Sequence, residues 1–194
     1  MKVLLVSALI ILADQITKLV VKGFSFTLIN FQHAGLNHGD SIPVLNNFFH
    51  ITLVENPGIA FGIDLHPDVK LIFSIFTIIA SIALVVYLFT IKNQELSIRI
   101  PVAVIIGGAF GNLIDRIFYG WFYGYGNILA GSVVDFLDIR FANLFVLDNT
   151  VGIYVFNIAD LAIILGAVSF IYFLLRKKKE SGIEKTLSAQ EENW

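Results

Sequence analysis

Asp14 and Lys18 stand four residues apart in a stretch that is otherwise almost wholly apolar, so any helix formed there carries both on one face. Asn112, Asp115 and Arg116 close a second apolar stretch, while Asn157 and Asp160, three residues apart, open a third. Ionisable groups in such settings are costly to keep and are functional-site candidates by default. Carboxylates there suit proton transfer. Two that meet at one boundary of water and lipid can share a proton, so that one serves as base and the other as acid. Asp160 has no cation on its own helix before Arg176, so its partner must come from another element. The plainer reading of Asp14 with Lys18, and of Asp115 with Arg116, is an internal ion pair that orients helices. Asp135, in Val133-Val134-Asp135-Phe136, taken alone is an ordinary loop aspartate, although its apolar, strand-like setting turns it toward the helix ends.

The elements that must position these groups are legible in the hydropathy. Of 194 residues, 57% are hydrophobic and 14% charged, where a soluble domain carries about a quarter charged. Mean hydropathy is +0.81, which makes lipid the main solvent. Four stretches reach the roughly 20 residues a spanning helix needs: about 3–21, 69–91, 98–119 and 151–175. The first carries Asp14 and Lys18 and lacks a small-residue cleavage site, so it reads as a permanent helix rather than a signal peptide.

Lys2, Lys92, Arg99 and the run Arg176-Lys177-Lys178-Lys179 fall at one end of these helices, while Arg140 is the sole basic residue between Arg116 and Arg176. The bias of Lys and Arg places both termini in the cytoplasm and the long connections, about 23–68 and 120–150, outside. The intramembrane polar groups then lie at one depth, roughly 5–15 Å below the outer surface at 1.5 Å per residue. Gly107 and Gly111 form a small-xxx-small pair that lets helices approach closely, a pattern common in plain helix packing. Phe24–Phe31, Phe48–Val54 and Ser132–Phe141 read as short strands, which suits a small sheet or lip on the outer membrane surface. Residues 1–179 form a single membrane domain, and 180–194 read as a flexible cytoplasmic tail. No cysteine is present, which excludes disulfides, thiolate metal sites and cysteine nucleophiles. The four histidines are confined to 33–66 and no HExxH pair occurs, so neither a metal nor a cofactor is expected.

Five separated motifs together resemble the lipoprotein signal peptidase (signal peptidase II) family. They are Asp14-Gln15-Ile16-Thr17-Lys18, Asn56-Pro57-Gly58-Ile59-Ala60-Phe61-Gly62, Gly107 through Arg116, Val133-Val134-Asp135-Phe136, and Phe156-Asn157-Ile158-Ala159-Asp160. The resemblance implies a four-helix membrane bundle with a small extracytoplasmic β-cradle, and an aspartic endopeptidase with Asp135 and Asp160 as the catalytic pair. It implies cleavage of bacterial prolipoproteins just before a diacylglyceryl-modified cysteine, in the inner membrane, with inhibition by the cyclic peptide globomycin. It further implies substrate-binding or dyad-supporting roles for Asp14, Lys18, Asn56, Gly58, Ala60, Asn112, Asp115, Arg116, Asn157 and Ala159. Ala34–Ser41 stands as an insertion relative to the family pattern. Membrane lipids are the expected surroundings, nucleic acid is not an expected partner, and nothing demands more than a monomer. A small ion or proton transporter is the alternative, but it calls for polar groups along the full depth. The inner halves, such as Val3–Leu12 and Ile163–Phe173, are nearly all apolar.

Overall fold

The computed structural model describes residues 2–26, 29–46, 48–58, 67–140 and 154–191, of which 26, 67–69, 154 and 181–191 are described by their main chain alone. Among the described residues four helices are long and apolar enough to cross a membrane: α1 (Leu4–Lys22), α2 (Pro67–Thr90), α3 (Leu96–Ile114) and α5 (Ile158–Glu191). A π-helical turn (Asp115–Tyr119) and the short α4 (Gly120–Phe122) prolong α3. The spanning part of α3 is 56% buried, against 17% for each of the other three spans, so α3 is the axle and its neighbours face lipid. Its glycines make this possible. A Cβ on Gly107 would lie 2.8 Å from Ile10 of α1, and one on Gly108 would collide with the Ala159 carbonyl of α5. Small residues substitute close van der Waals contact for the hydrophobic drive that lipid removes. Val3, Leu88, Val102, Ala103 and Ile106 form the core among the helix ends far from the sheets.

Above the helix ends stand two antiparallel sheets. β1 (Gly23–Phe26) pairs with β2 (Phe31–Ala34), while β3 (Ser41–Leu45), β4 (Phe49–Asn56), β5 (Val133–Ile139) and β6 (Tyr154–Phe156) follow in the order β3-β4-β5-β6. The expected single strand over Phe24–Phe31 is thus a hairpin, which turns at Asn30 with φ +48°. β5 lies between β4 and β6, with Val54 opposite Asp135 and Phe156 opposite Leu137. Leu53, Val134, Phe136 and Tyr119 form the core that joins sheet to bundle. Lys22 fastens the joint: its Nζ lies 2.7 Å from Glu55 Oε1 and 4.3 Å from the centre of the Tyr123 ring. Arg140 stitches three strands, donating to Asp138 Oδ2 at 2.6 Å, to Ser41 Oγ at 2.9 Å and to Thr52 Oγ1 at 3.4 Å.

Two helix boundaries differ from those read in the sequence. The last helix begins at Ile158, not near 151, because Tyr154–Phe156 is strand β6. Apolar runs rich in β-branched and aromatic residues do not by themselves separate strand from helix. At the other end α5 continues through Glu191, beyond the 179 at which a flexible tail was expected to follow. Arg176 and Glu180, four apart, form a 2.9 Å pair along this extension, the spacing that supports exposed helix. Lys177 also reaches Gln94 at 2.8 Å.

Candidate active site

Asp160 owes its position to a helix start. Asn157 precedes the first residue of α5, its Oδ1 accepts the Asp160 N–H at 2.9 Å, and Asp160 Oδ2 accepts the Asn157 N–H at 3.3 Å. This is the reciprocal arrangement of a capping box, which satisfies two of the orphan donors at a helix N-terminus. A third, the Ala159 N–H, donates to Asp14 Oδ1 at 2.9 Å, so α1 caps α5. Asp14 is fully buried and therefore serves two helices at once.

Asp135 is fixed by sheet pairing. Its Oδ1 accepts from Asn157 Nδ2 at 2.7 Å, and its Oδ2 from Asn56 Nδ2 at 3.2 Å. Asn56 is oriented in turn by the Gly58 N–H, which donates to its Oδ1 at 2.9 Å in an Asx-type turn. Gly58 takes φ +125°, a conformation that favours glycine. Asp135 is 3% exposed. Burial, and then the charge of Asp160, push its carboxyl up to about 7, against the opposing donors Asn56 and Asn157. Asn157 thus touches both carboxylates, Asp135 through its side-chain amide and Asp160 through its main chain.

Beneath the pair lies Lys18, fully buried. Its Nζ stands 2.8 Å from Asp14 Oδ2, 2.7 Å from Asp115 Oδ2 and 2.9 Å from Asn112 Oδ1. An ammonium has three donors and no acceptor, so Asn112 must present its oxygen to Lys18 and its amide NH2 elsewhere. That NH2 donates to Asp160 Oδ1 at 2.7 Å, while Asn157 Nδ2 donates to Asn112 Oδ1 at 3.0 Å. The donor directions of Asn112 and Asn157 therefore descend from Lys18, while Asn56 takes its own from Gly58.

The expected grouping of Asp14, Lys18, Asn112, Asp115, Asn157, Ala159 and Asp160 is present as one network, with Asp135 and Asn56 entering from the sheet. The ion pair of Asp115 is with Lys18 rather than with Arg116, since consecutive helical residues do not face each other. Arg116 instead feels the charges of Asp115, Asp160 and Asp135, and its Nη1 lies 3.4 Å from the Asn112 carbonyl. Ala60 lies outside the described residues. Sequence reasoning gave no role to Gln15 or Tyr119. Gln15 Nε2 donates to Asp115 Oδ1 at 2.8 Å and to the Gly111 carbonyl at 3.0 Å, and Tyr119 Oη donates to Gln15 Oε1 at 3.1 Å. A glutamine in a spanning segment beside an aspartate was the available signal. No group of three or more His, Cys, Asp or Glu side chains set to hold a metal occurs among the described residues.

Four spanning helices under a small sheet, with a buried carboxylate from the sheet and a half-buried one from α5 held by one asparagine, make the frame of a membrane-embedded aspartic peptidase. The family model described as signal peptidase (SPase) II matches residues 6–176. The lipoprotein signal peptidase of Moorella thermoacetica is 34% identical over 184 residues, covering 95% of this chain and 99% of that protein. The lipoprotein signal peptidase of Desulfitobacterium hafniense strain DCB-2 is 38% identical over 147 residues, covering 75% and 82%. A bacterial membrane enzyme solved in meso at 1.9 Å superposes with a TM-score of 0.62 at 33% identity, covering 90% of this chain and 92% of that one. The chain belongs to the signal peptidase II family. Membership removes the support for the transporter alternative.

Proposed function

We propose that this protein removes the signal peptide from diacylglyceryl-modified bacterial prolipoproteins, cutting just before the lipidated cysteine, with Asp135 and Asp160 as the catalytic pair. The observation that carries the assignment is the double contact of Asn157, 2.7 Å from Asp135 Oδ1 and 3.3 Å from Asp160 Oδ2. It sets two carboxylates from separate elements around one small polar group, with the Arg116 guanidinium nearby. Hydrolysis then follows the aspartic pattern. The ionised carboxylate takes a proton from water as the water oxygen bonds to the scissile carbonyl carbon, and the protonated partner donates to the carbonyl oxygen. A proton then passes to the peptide nitrogen, the C–N bond breaks, and the cysteine amine leaves while the signal peptide gains a carboxylate. Asp135, titrating near 7, is suited to hold the shared proton at neutral pH.

The distribution of Lys and Arg supports cytoplasmic termini and a site at the outer face of the bacterial inner membrane. Asn56 and Gly58 border the substrate edge, Arg116 is available to the substrate backbone, and globomycin is the expected inhibitor of a monomeric enzyme. Asp135→Asn and Asp160→Asn, each inserted correctly, should lose roughly 10²–10⁴-fold in cleavage of a lipidated precursor. Near-normal turnover by either variant would overturn the pair.

A further inference from the structure

We propose that Gly131 is a positioning residue for peptide-bond cleavage, because its missing side chain lets the segment that carries Asp135 lie directly on the π-helical turn. The inference rests on the assignment of Asp135 and Asp160 as the catalytic pair. In a π turn each N–H bonds one residue further back than in an α-helix, which displaces carbonyls from their usual partners and invites others. Here the Arg116 carbonyl accepts the Gly131 N–H at 3.0 Å and the Ile117 carbonyl accepts the Leu129 N–H at 3.1 Å. The Val134 N–H adds a third bond, to Asp115 Oδ2 at 3.1 Å. Three consecutive residues of the turn thus receive three donors from the chain between 129 and 134, and Asp135 is the next residue along.

The approach leaves no room at its middle point. A Cβ on Gly131 would overlap the Asp115 carbonyl oxygen and stand 3.1 Å from that of Arg116. Both obstacles are main chain, so neither can swing aside. Leu129 sits at φ +71°, and its carbonyl accepts the Ser74 hydroxyl of α2 at 2.9 Å, so the segment is tied on its other side as well. Any side chain at 131 must therefore lift the segment away from the turn. The displacement is transmitted through four residues to the contact between Asp135 and Asn157.

The test uses the full-length protein in detergent with a lipidated precursor. Misplacement by about 1 Å can cost on the order of 100-fold in rate, so Gly131→Ala should lower kcat by about 10–100-fold. KM should stay within about twofold, and the pH–rate limb belonging to Asp135 should move from its wild-type position. An unchanged kcat and limb would overturn the inference, as would a loss of rate that merely tracks loss of folded protein with the limb in place. Should Gly131→Ala fail to insert, hydrogen exchange of the wild-type amides decides. Slow exchange at 129, 131 and 134 supports the docked segment, and exchange as fast as in exposed loops sinks it. Asp135→Asn separates the two layers of the argument: if that variant cleaves normally, the catalytic pair is wrong, whatever Gly131 does. If it is inactive while Gly131→Ala behaves as wild type, only the positioning role falls.

Discussion

Asp135 is the residue on which pH should act. Its carboxyl, raised to about 7, must lose a proton in the folded protein at a pH well above that of an exposed aspartate. If its protonated form is the working one, cleavage falls as pH rises through about 7. The Asn56 donor works against the rise, so Asn56→Ala should push the limb to higher pH, measurable as a displaced inflection in kcat/KM. The same shift is linked to stability. The folded state binds this proton more tightly than the unfolded chain, so the contribution is fully present below the ordinary carboxylate range and is lost as pH climbs to about 7. Asp135→Asn should flatten that part of the fall in thermal stability, and an unaltered slope would show that other groups govern it.

At the scale of elements, one ammonium holds α1 to α3 and, through Asn112, to the first turn of α5. Lys18→Met leaves Asp14 and Asp115 as buried carboxylates without a cation, a loss that costs about 3–5 kcal/mol in buried pairs. A clear drop in the unfolding temperature in detergent is expected, together with loss of cleavage. Asp14→Ala should cost less, about 1 kcal/mol, for its share as a helix cap, plus whatever the freed Lys18 donor adds. The four spans were readable from hydropathy because their lengths meet the bilayer requirement. The polar depth was readable because α1, α3 and α5 each carry charged or amide groups at the same end. What was not readable has physical reasons. Tyr154–Phe156 is as apolar as a helix, so nothing in the run revealed the strand. The π turn has no signature in its residues, and the choice of Lys18 over Arg116 as partner for Asp115 depends on which face of α3 meets α1. Asp135 itself was singled out by family likeness, since its setting as the middle of a buried strand depends on pairing with the distant strand β4, where Val54 stands opposite it.

For the whole molecule the orientation is open to a direct chemical test. The chain lacks cysteine, so single cysteines report without background. Ile42→Cys, on exposed β3, should react with an impermeant maleimide added outside intact spheroplasts, and Lys179→Cys only after the membrane is opened. Reversed labelling would turn the topology over, and with it the face at which substrate is cut. The strong burial of α3 among lipid-facing partners also divides the sequence. Substitutions at lipid-facing aliphatic positions of α2, such as Ile72 and Ile79, should be borne with little effect, whereas Gly108→Val should separate α3 from α5 and abolish cleavage.

One carboxylate rides on the sheet and the other on the end of a spanning helix, and the two layers answer to different parts of the bilayer. A membrane whose thickness lifts the sheet or tilts α5 alters the gap between them, as the jaws of a caliper follow its frame. Enzyme reconstituted in a series of lipids of increasing acyl length should therefore show turnover that peaks at one thickness and declines on both sides. The fatty-acid composition of the host membrane would then set the rate at which its lipoproteins mature.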